Sequence, residues 1–250
     1  MSGNDPIREA NSNRYSDPSE VDGYLLEPYH ALRSSIGINL LCKETRRLRK
    51  EVGKIQILEL AASTGMVAKQ IEDNIRSSVI TSDIEYVPLT RARRVLSSDI
   101  GSNCIQLDAA RSLPFAPNSF AGIYMGELIE HLFDTKSILS ECCRVLVPNG
   151  ILVVTTPNLA GLQDRIGFIF GKSPRHVNPL HDYLYLHIRP FTFGMIKSCL
   201  ETTGFRVIAV KSNYIRIRFS SGRRIDSRMF ARFFPTLGGS LIVAARKNVA

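Results

Sequence analysis

No uninterrupted run of about 18 apolar residues occurs in this 250-residue sequence, so no segment reads as a membrane-spanning helix. The polar opening from Met1 to Glu20 has no apolar core of the kind a secretory signal requires, and a cytoplasmic protein is expected. The five cysteines, Cys42, Cys104, Cys142, Cys143 and Cys199, form no Cys-x-x-Cys pair, and four lie among apolar neighbours. Buried reduced thiols are the expected reading, and no metal site is implied. No internal repeat or low-complexity tract interrupts the chain. Acidic residues are scarce beside basic ones, 23 against 32, a formal net charge of +9. That surplus points to an anionic partner, which nucleic acid, an anionic membrane face or a phosphorylated substrate would each satisfy.

What the sequence does hold is a large apolar share, 44% hydrophobic residues, enough for the core of a single α/β domain over 23–250. The segment 1–22, rich in Asn, Ser, Asp and Pro, is expected to be disordered or loosely attached. A helix is predicted over 28–51 from Leu32, Ile36, Leu40 and Leu41, ending in Arg46, Arg47, Arg49 and Lys50; it packs before the first strand and is a candidate roof for the substrate site. The central signal is Ile55 to Gly65, an apolar run holding Glu59 that breaks into the small residues Ala61, Ala62 and Ser63. It reads as a buried parallel strand feeding a tight turn and then a helix, the arrangement that brings backbone N–H groups close to a ligand. Two further short apolar stretches end at Asp83 and Asp108. An acid at the position of Asp83 can accept both hydroxyls of a ribose lying across the strand ends.

Later elements follow the same alternation. Leu89 to Ser97 reads as a helix whose Arg91, Arg93 and Arg94 make a solvated face, and Ala121 to Met125 as a fourth strand opening at Gly126 and Glu127. Asp134 is an N-cap candidate, Pro148-Asn149-Gly150 a turn, and Ile151 to Thr155 a fifth strand. A helix over Thr192 to Thr203, stopped by Gly204, precedes a last strand pair, Phe205 to Val210 and Ser240 to Ala245. The long insert 158–190 is expected to cap a substrate, since long connections at strand ends usually bind or cover ligands.

Ile57-Leu58-Glu59-Leu60 with Gly65, Asp83, Leu107-Asp108 before Leu113-Pro114-Phe115, Glu130-His131-Leu132, Arg144-Val145-Leu146 and Thr156-Pro157-Asn158 together resemble the class I S-adenosylmethionine-dependent methyltransferases. The likeness runs from about Ile55 to Arg246 and is nearest to the quinone and sugar O-methyltransferases. It implies a Rossmann-like seven-stranded sheet, mostly parallel with an antiparallel last strand and helices on both faces. It also implies the cofactor S-adenosyl-L-methionine, with Glu59 at its methionyl end, Asp83 at its ribose and Asp108 at its adenine amine. Ala61, Ser63, Gly65, Ala109, Gly126 and Glu127 would complete the cofactor site. The chain departs from the pattern at Ala61 and Ser63, where relatives usually carry glycine.

The resemblance further implies that relatives shape the acceptor pocket with the insert and often show a stretch like His187-Ile188-Arg189-Pro190-Phe191. Methyl transfer needs mainly alignment in a dry pocket, plus a base when the acceptor is a hydroxyl, a task for which histidine is suited. His131 and His187 are the candidates, with His176 and His181 open to binding an acidic substrate or to no role; Phe168 and Phe170 are expected pocket walls. The acceptor is expected to be a small molecule or a glycan, and anionic or lipid-linked groups fit the charge. An RNA methyltransferase is an alternative, disfavoured by the lack of an Asn-Pro-Pro-Tyr-like motif after the fourth strand, and a non-catalytic cofactor-binding protein is another. Residues 206–234 hold eight Lys and Arg against Asp226, with Met229, Phe230, Phe233 and Phe234 near them. That pattern suits peripheral contact with the inner face of a membrane, or else a solvated strand with its aromatics in the core.

Overall fold

The computed structural model describes residues 23, 25–52, 55–97, 101–177, 186–218 and 221–249. The expectations for 1–22 and for His181 lie outside the described residues.

Five strands and the helices between them lay down a parallel sheet in chain order: α1 (Pro28–Val52), β1 (Gln56–Leu60), α2 (Met66–Ile75), β2 (Ser78–Asp83), α3 (Tyr86–Val95), β3 (Asn103–Gln106), β4 (Phe120–Gly126), α4 (Thr135–Val145) and β5 (Leu146–Pro157). Next come α5 (Leu162–Ile169), α6 (Phe193–Thr202), β6 (Phe205–Lys211), a hairpin of β7 (Ile215–Arg218) and β8 (Arg224–Ser227), α7 (Arg228–Phe233) and β9 (Ser240–Lys247). The seven-stranded sheet runs β3-β2-β1-β4-β5-β9-β6. β9 is antiparallel to both its neighbours, and the other pairings are parallel. The expected mostly parallel, Rossmann-like sheet with an antiparallel last strand is therefore observed.

Alternation along the central strands explains the two-sided core. Leu58, Leu60, Ile123, Met125, Leu152 and Val154 join one cluster with α4 and α6. Ile57, Tyr124, Ile151 and Val153 join a second with α1 and α2. Strands buried on both faces have to be apolar at nearly every position, which is why β1 reads as a continuous hydrophobic run.

The buried stripe of α1 is rotated about one position from the one predicted. Leu32, Ile36 and Leu40 are only partly buried, whereas Arg33, Ser34, Ile38, Leu41, Thr45 and Leu48 are buried. Small residues set this rotation. A Cβ on Gly122 of β4 would lie 2.7 Å from Thr45 Cγ2 and 2.9 Å from Leu41 Cδ1, so the helix can settle directly on the strand only where glycine faces it. Asp134 caps α4 as predicted, accepting the Ser137 N–H at 2.9 Å.

Candidate active site

The parallel strands deliver their carboxyl ends to one edge, and the predicted acids gather there. Asp83 is the last residue of β2, Asp108 lies just beyond β3, and Glu59 is the penultimate residue of β1, paired in register with Thr81 and Tyr124. Glu59 is 3% exposed, and its Oε2 has no hydrogen-bond partner. Burial, then the nearby charge of Asp83, push its carboxyl well above the usual range, opposed only by a backbone hydrogen bond from Ala68. Asp83 is used structurally from the other side. Its Oδ2 accepts the Ser63 N–H at 2.7 Å and its Oδ1 the Glu85 N–H at 2.9 Å, tying the β1 turn to β2. Burial still leaves its pKa raised. Asp108 accepts the Ala110 N–H at 3.0 Å and faces Arg111 at 3.4 Å, which shapes the short turn holding Ala109.

The turn itself keeps the shape that glycine would give it. Ala61 and Ser63 stand at φ +56° and +47°, in the left-handed region, despite their side chains. Gly65, at φ +77°, could not be replaced: a Cβ there would lie 2.6 Å from the Ala92 Cβ of α3. Ser63 Oγ is buried without a hydrogen-bond partner. Two orphaned polar atoms, one carboxylate and one hydroxyl, at a tight strand-to-helix turn are what a polar ligand would satisfy. S-adenosylmethionine, with an ammonium, a carboxylate and ribose hydroxyls, fits that donor and acceptor set.

Past β4 the geometry diverges from a simple cofactor wall. Glu127, at φ +50°, has both oxygens occupied: Oε2 accepts from Arg33 at 2.8 Å and Oε1 from the Thr155 hydroxyl at 3.0 Å. Burial raises its pKa even so, against the Arg33 charge. Arg33 is 3% exposed, a buried cation on α1 that sequence reading missed because one arginine in a polar-looking helix start resembles a solvated charge.

Glu130 and His131 lie on a 3-10 turn, Ile129–His131. Glu130, 1% exposed, accepts the Thr156 hydroxyl at Oε2 (3.0 Å), and its Oε1 has no partner. Burial and then the charge of Glu127 drive its pKa well up. His131 Nδ1 lies 3.1 Å from the Leu186 carbonyl, which can only accept, so the ring proton sits on Nδ1. Burial lowers its pKa to about 4. The insert brings His187 to it edge-on, ring centroids 4.9 Å apart, and His176 stacks behind His187 at 6.3 Å. Arg189 donates its backbone N–H to the Glu130 carbonyl at 3.0 Å and lies over the Phe133 ring. The structure thus joins His131 and His187, which the sequence separates by a long insert, and adds Glu130 to them.

The insert and the hairpin form a cap. Gln163 of α5 exchanges hydrogen bonds with the backbone of Arg218 on β7. Phe168, Phe170, Phe230 and Phe233 are exposed on this cap, 69%, 75%, 53% and 70% respectively, and so are Ile169, Met229 and Phe234. Phe168 and Phe170 are therefore outward-facing here rather than buried pocket walls, and the aromatics of 229–234 are not tucked into the core.

Residues 58–154 match the family model described as a methyltransferase domain. A probable S-adenosylmethionine-dependent methyltransferase of Mycolicibacterium smegmatis is 31% identical over 163 residues, 65% of this chain and 56% of that protein. An O-methyltransferase of Aspergillus nomiae is 28% identical over 71% of this chain and 77% of its own. A ubiquinone/menaquinone biosynthesis C-methyltransferase of Geotalea daltonii is 32% identical over 47% and 53%. In three dimensions, a chain from the complex of the Haloferax volcanii Trm112 methyltransferase activator with a protein described as a methyltransferase superposes with TM-score 0.68 over 98% of both chains. At 12% identity that likeness shows the fold alone. Residues 58–154 are thus similar to a methyltransferase domain, and the chain has the Rossmann-like fold of the class I S-adenosylmethionine-dependent methyltransferases. The match spans about half the length of the M. smegmatis relative.

Proposed function

We propose that this chain transfers a methyl group from S-adenosylmethionine to a hydroxyl of a small molecule or glycan, and that the acceptor is presented at an anionic membrane surface. The observation that supports catalysis is the orphaned, buried carboxyl of Glu59 beside the left-handed Ala61–Ser63 turn. When bound, the cofactor supplies an electrophilic methyl group and keeps the electron pair of the broken carbon–sulfur bond. Glu59 meets the methionyl ammonium. Asp83, whose oxygens accept the Ser63 and Glu85 N–H groups, takes the ribose hydroxyls with its remaining acceptor capacity. Asp108 takes the adenine amine, and Gly126 leaves the β4 end open. The acceptor hydroxyl loses its proton near His131 and His187. O- and C-methyltransferases both stand among the relatives. The paired imidazoles favour oxygen, because removing a hydroxyl proton is the step they can assist.

The cap supports the membrane half of the reading. Exposed Phe230, Phe233 and Phe234 stand among Arg223, Arg224, Arg228 and Arg232, apolar side chains ringed by cations as anionic lipid requires. Arg216 does not contribute, since Asp226 pairs with it at 2.7 Å; the same carboxylate lies 3.9 Å from Arg224, a looser contact that leaves Arg224 63% exposed. Among the described residues no helix is long and apolar enough to cross a membrane, so the contact is peripheral. Calorimetric titration with S-adenosylmethionine tests the first part; no binding refutes it. Co-sedimentation tests the second: binding to anionic but not neutral vesicles, weakened by salt and by Arg223→Glu with Arg224→Glu, is expected. Protein left in the supernatant at low salt would reject it.

A further inference from the structure

Glu130, His131 and His187 each offer one ligand atom, and these atoms all lie within 4.8 Å of one another. We propose that they bind one divalent transition-metal ion, of the class that takes imidazole together with carboxylate. This deepens the reading above, on which its catalytic meaning rests.

The need for a cation shows first in the carboxylates. Glu127 and Glu130 are packed together, and one guanidinium, that of Arg33, serves them, bound to Glu127 at 2.8 Å. Glu130 has only the Thr156 hydroxyl, at Oε2, while Oε1 has no partner at 1% exposure. A buried acceptor oxygen without a partner is costly, and a cation at Oε1 would satisfy it.

The imidazoles are oriented to complete the set. The Leu186 carbonyl takes the Nδ1 proton of His131, which fixes the orientation and tautomer of the ring. An imidazole fixed through its second nitrogen is the usual state of a metal-bound histidine. The segment carrying His187 is held to the Glu130 turn twice, by the Leu186 carbonyl on His131 and by the Arg189 N–H on the Glu130 carbonyl. Both sides of the site therefore move together. Donors of one tetrahedral ion lie about 3.4 Å apart at metal–ligand distances near 2.1 Å, so side-chain shifts of roughly an ångström close the set. Two nitrogens and one oxygen suit zinc or manganese better than magnesium, which prefers oxygen alone. Three protein ligands leave positions open, where an acceptor hydroxyl could bind and become more acidic.

The test uses the full chain, stripped with chelator and dialysed, then titrated calorimetrically with Zn²⁺, Mn²⁺ and Mg²⁺. One Zn²⁺ or Mn²⁺ per chain is expected, with weaker Mg²⁺ binding, and Glu130→Gln and His187→Ala should each weaken the transition ion at least tenfold. Glu130→Gln keeps the size of the side chain, and cooperative thermal unfolding checks both variants; His187→Gln replaces His187→Ala if the latter fails to fold. S-adenosylmethionine is titrated into the same samples and should bind all of them alike, because Glu130 and His187 are not among the residues assigned to it. Absence of saturable Zn²⁺ and Mn²⁺ binding, or equal binding by both variants, overturns the site. If S-adenosylmethionine binds while no metal does, the metal site alone is wrong. If metal binds and S-adenosylmethionine does not, the methyltransfer reading is wrong and the site stands.

Discussion

Replacing Glu59 by glutamine keeps the side chain's shape and removes a titratable carboxyl from a position that is 3% exposed. Its carboxyl is pushed well above the usual range by burial and by Asp83, so in the cofactor-free fold it holds a proton that the unfolded chain releases. The sign follows from proton counting. Where the native state binds more protons than the unfolded state, stability falls as pH rises. The effect begins near the unfolded value of about 4.3 and continues until the folded value is reached. The ceiling is about 1.4 kcal/mol per pH unit for one carboxyl. Cofactor-free, chelator-treated wild-type protein should therefore lose stability through this group as pH rises above the ordinary carboxylate range, by at most about 1.4 kcal/mol per pH unit. Glu59→Gln should show a flatter slope, unfold at higher denaturant near neutral pH, and bind S-adenosylmethionine at least tenfold more weakly. Urea unfolding at several pH values, with calorimetry at one, measures all three. An unchanged slope, or a variant less stable than wild type at neutral pH, would mean that Glu59 is already charged and paired in the free protein, and the reasoning from its orphaned oxygen fails.

Asp83→Ala should act twice, because it strands the Ser63 and Glu85 N–H groups as well as the ribose hydroxyls. A stability loss of about 1–3 kcal/mol in urea unfolding and a comparable loss of cofactor affinity in calorimetry are expected; a change in neither removes Asp83 from the site. Ala61→Gly and Ser63→Gly each relieve a left-handed residue, a gain of about 1–2 kcal/mol offset by roughly 0.5–1 of glycine flexibility, so each variant should be as stable as wild type or up to about 1.5 kcal/mol more so. Clear destabilisation by either would show that the Cβ makes a packing contact worth more than the strain.

The sheet was legible because its strands are buried on both faces and each is tipped by an acid or a small residue, a pattern that local sequence carries by itself. The same is true of the helix cap at Asp134 and of the acids Glu59, Asp83 and Asp108, whose spacing follows the alternation of strand and helix. The chain also determined its own surplus of positive charge and the clustering of arginine with aromatics after β6. Tertiary structure alone decided which side chains meet across that framework. The buried face of α1 turned toward Gly122 because close approach between a helix and a strand depends on the smallest residues of both, which hydrophobic spacing in one element does not encode. Arg33 reached Glu127 from a helix far back in the chain, so the carboxyl expected to face the cofactor is held by a guanidinium and a threonine instead. Whether the aromatics of 229–234 were core or surface turned on how the β7–β8 hairpin stands off the main sheet, a packing outcome with no local signature. The grouping of Glu130 and His131 with His187 has the same origin. The return of a long insert is held on the turn after β4 by one side-chain and one backbone hydrogen bond, and contacts between segments so far apart in sequence are set by the closure of the whole chain.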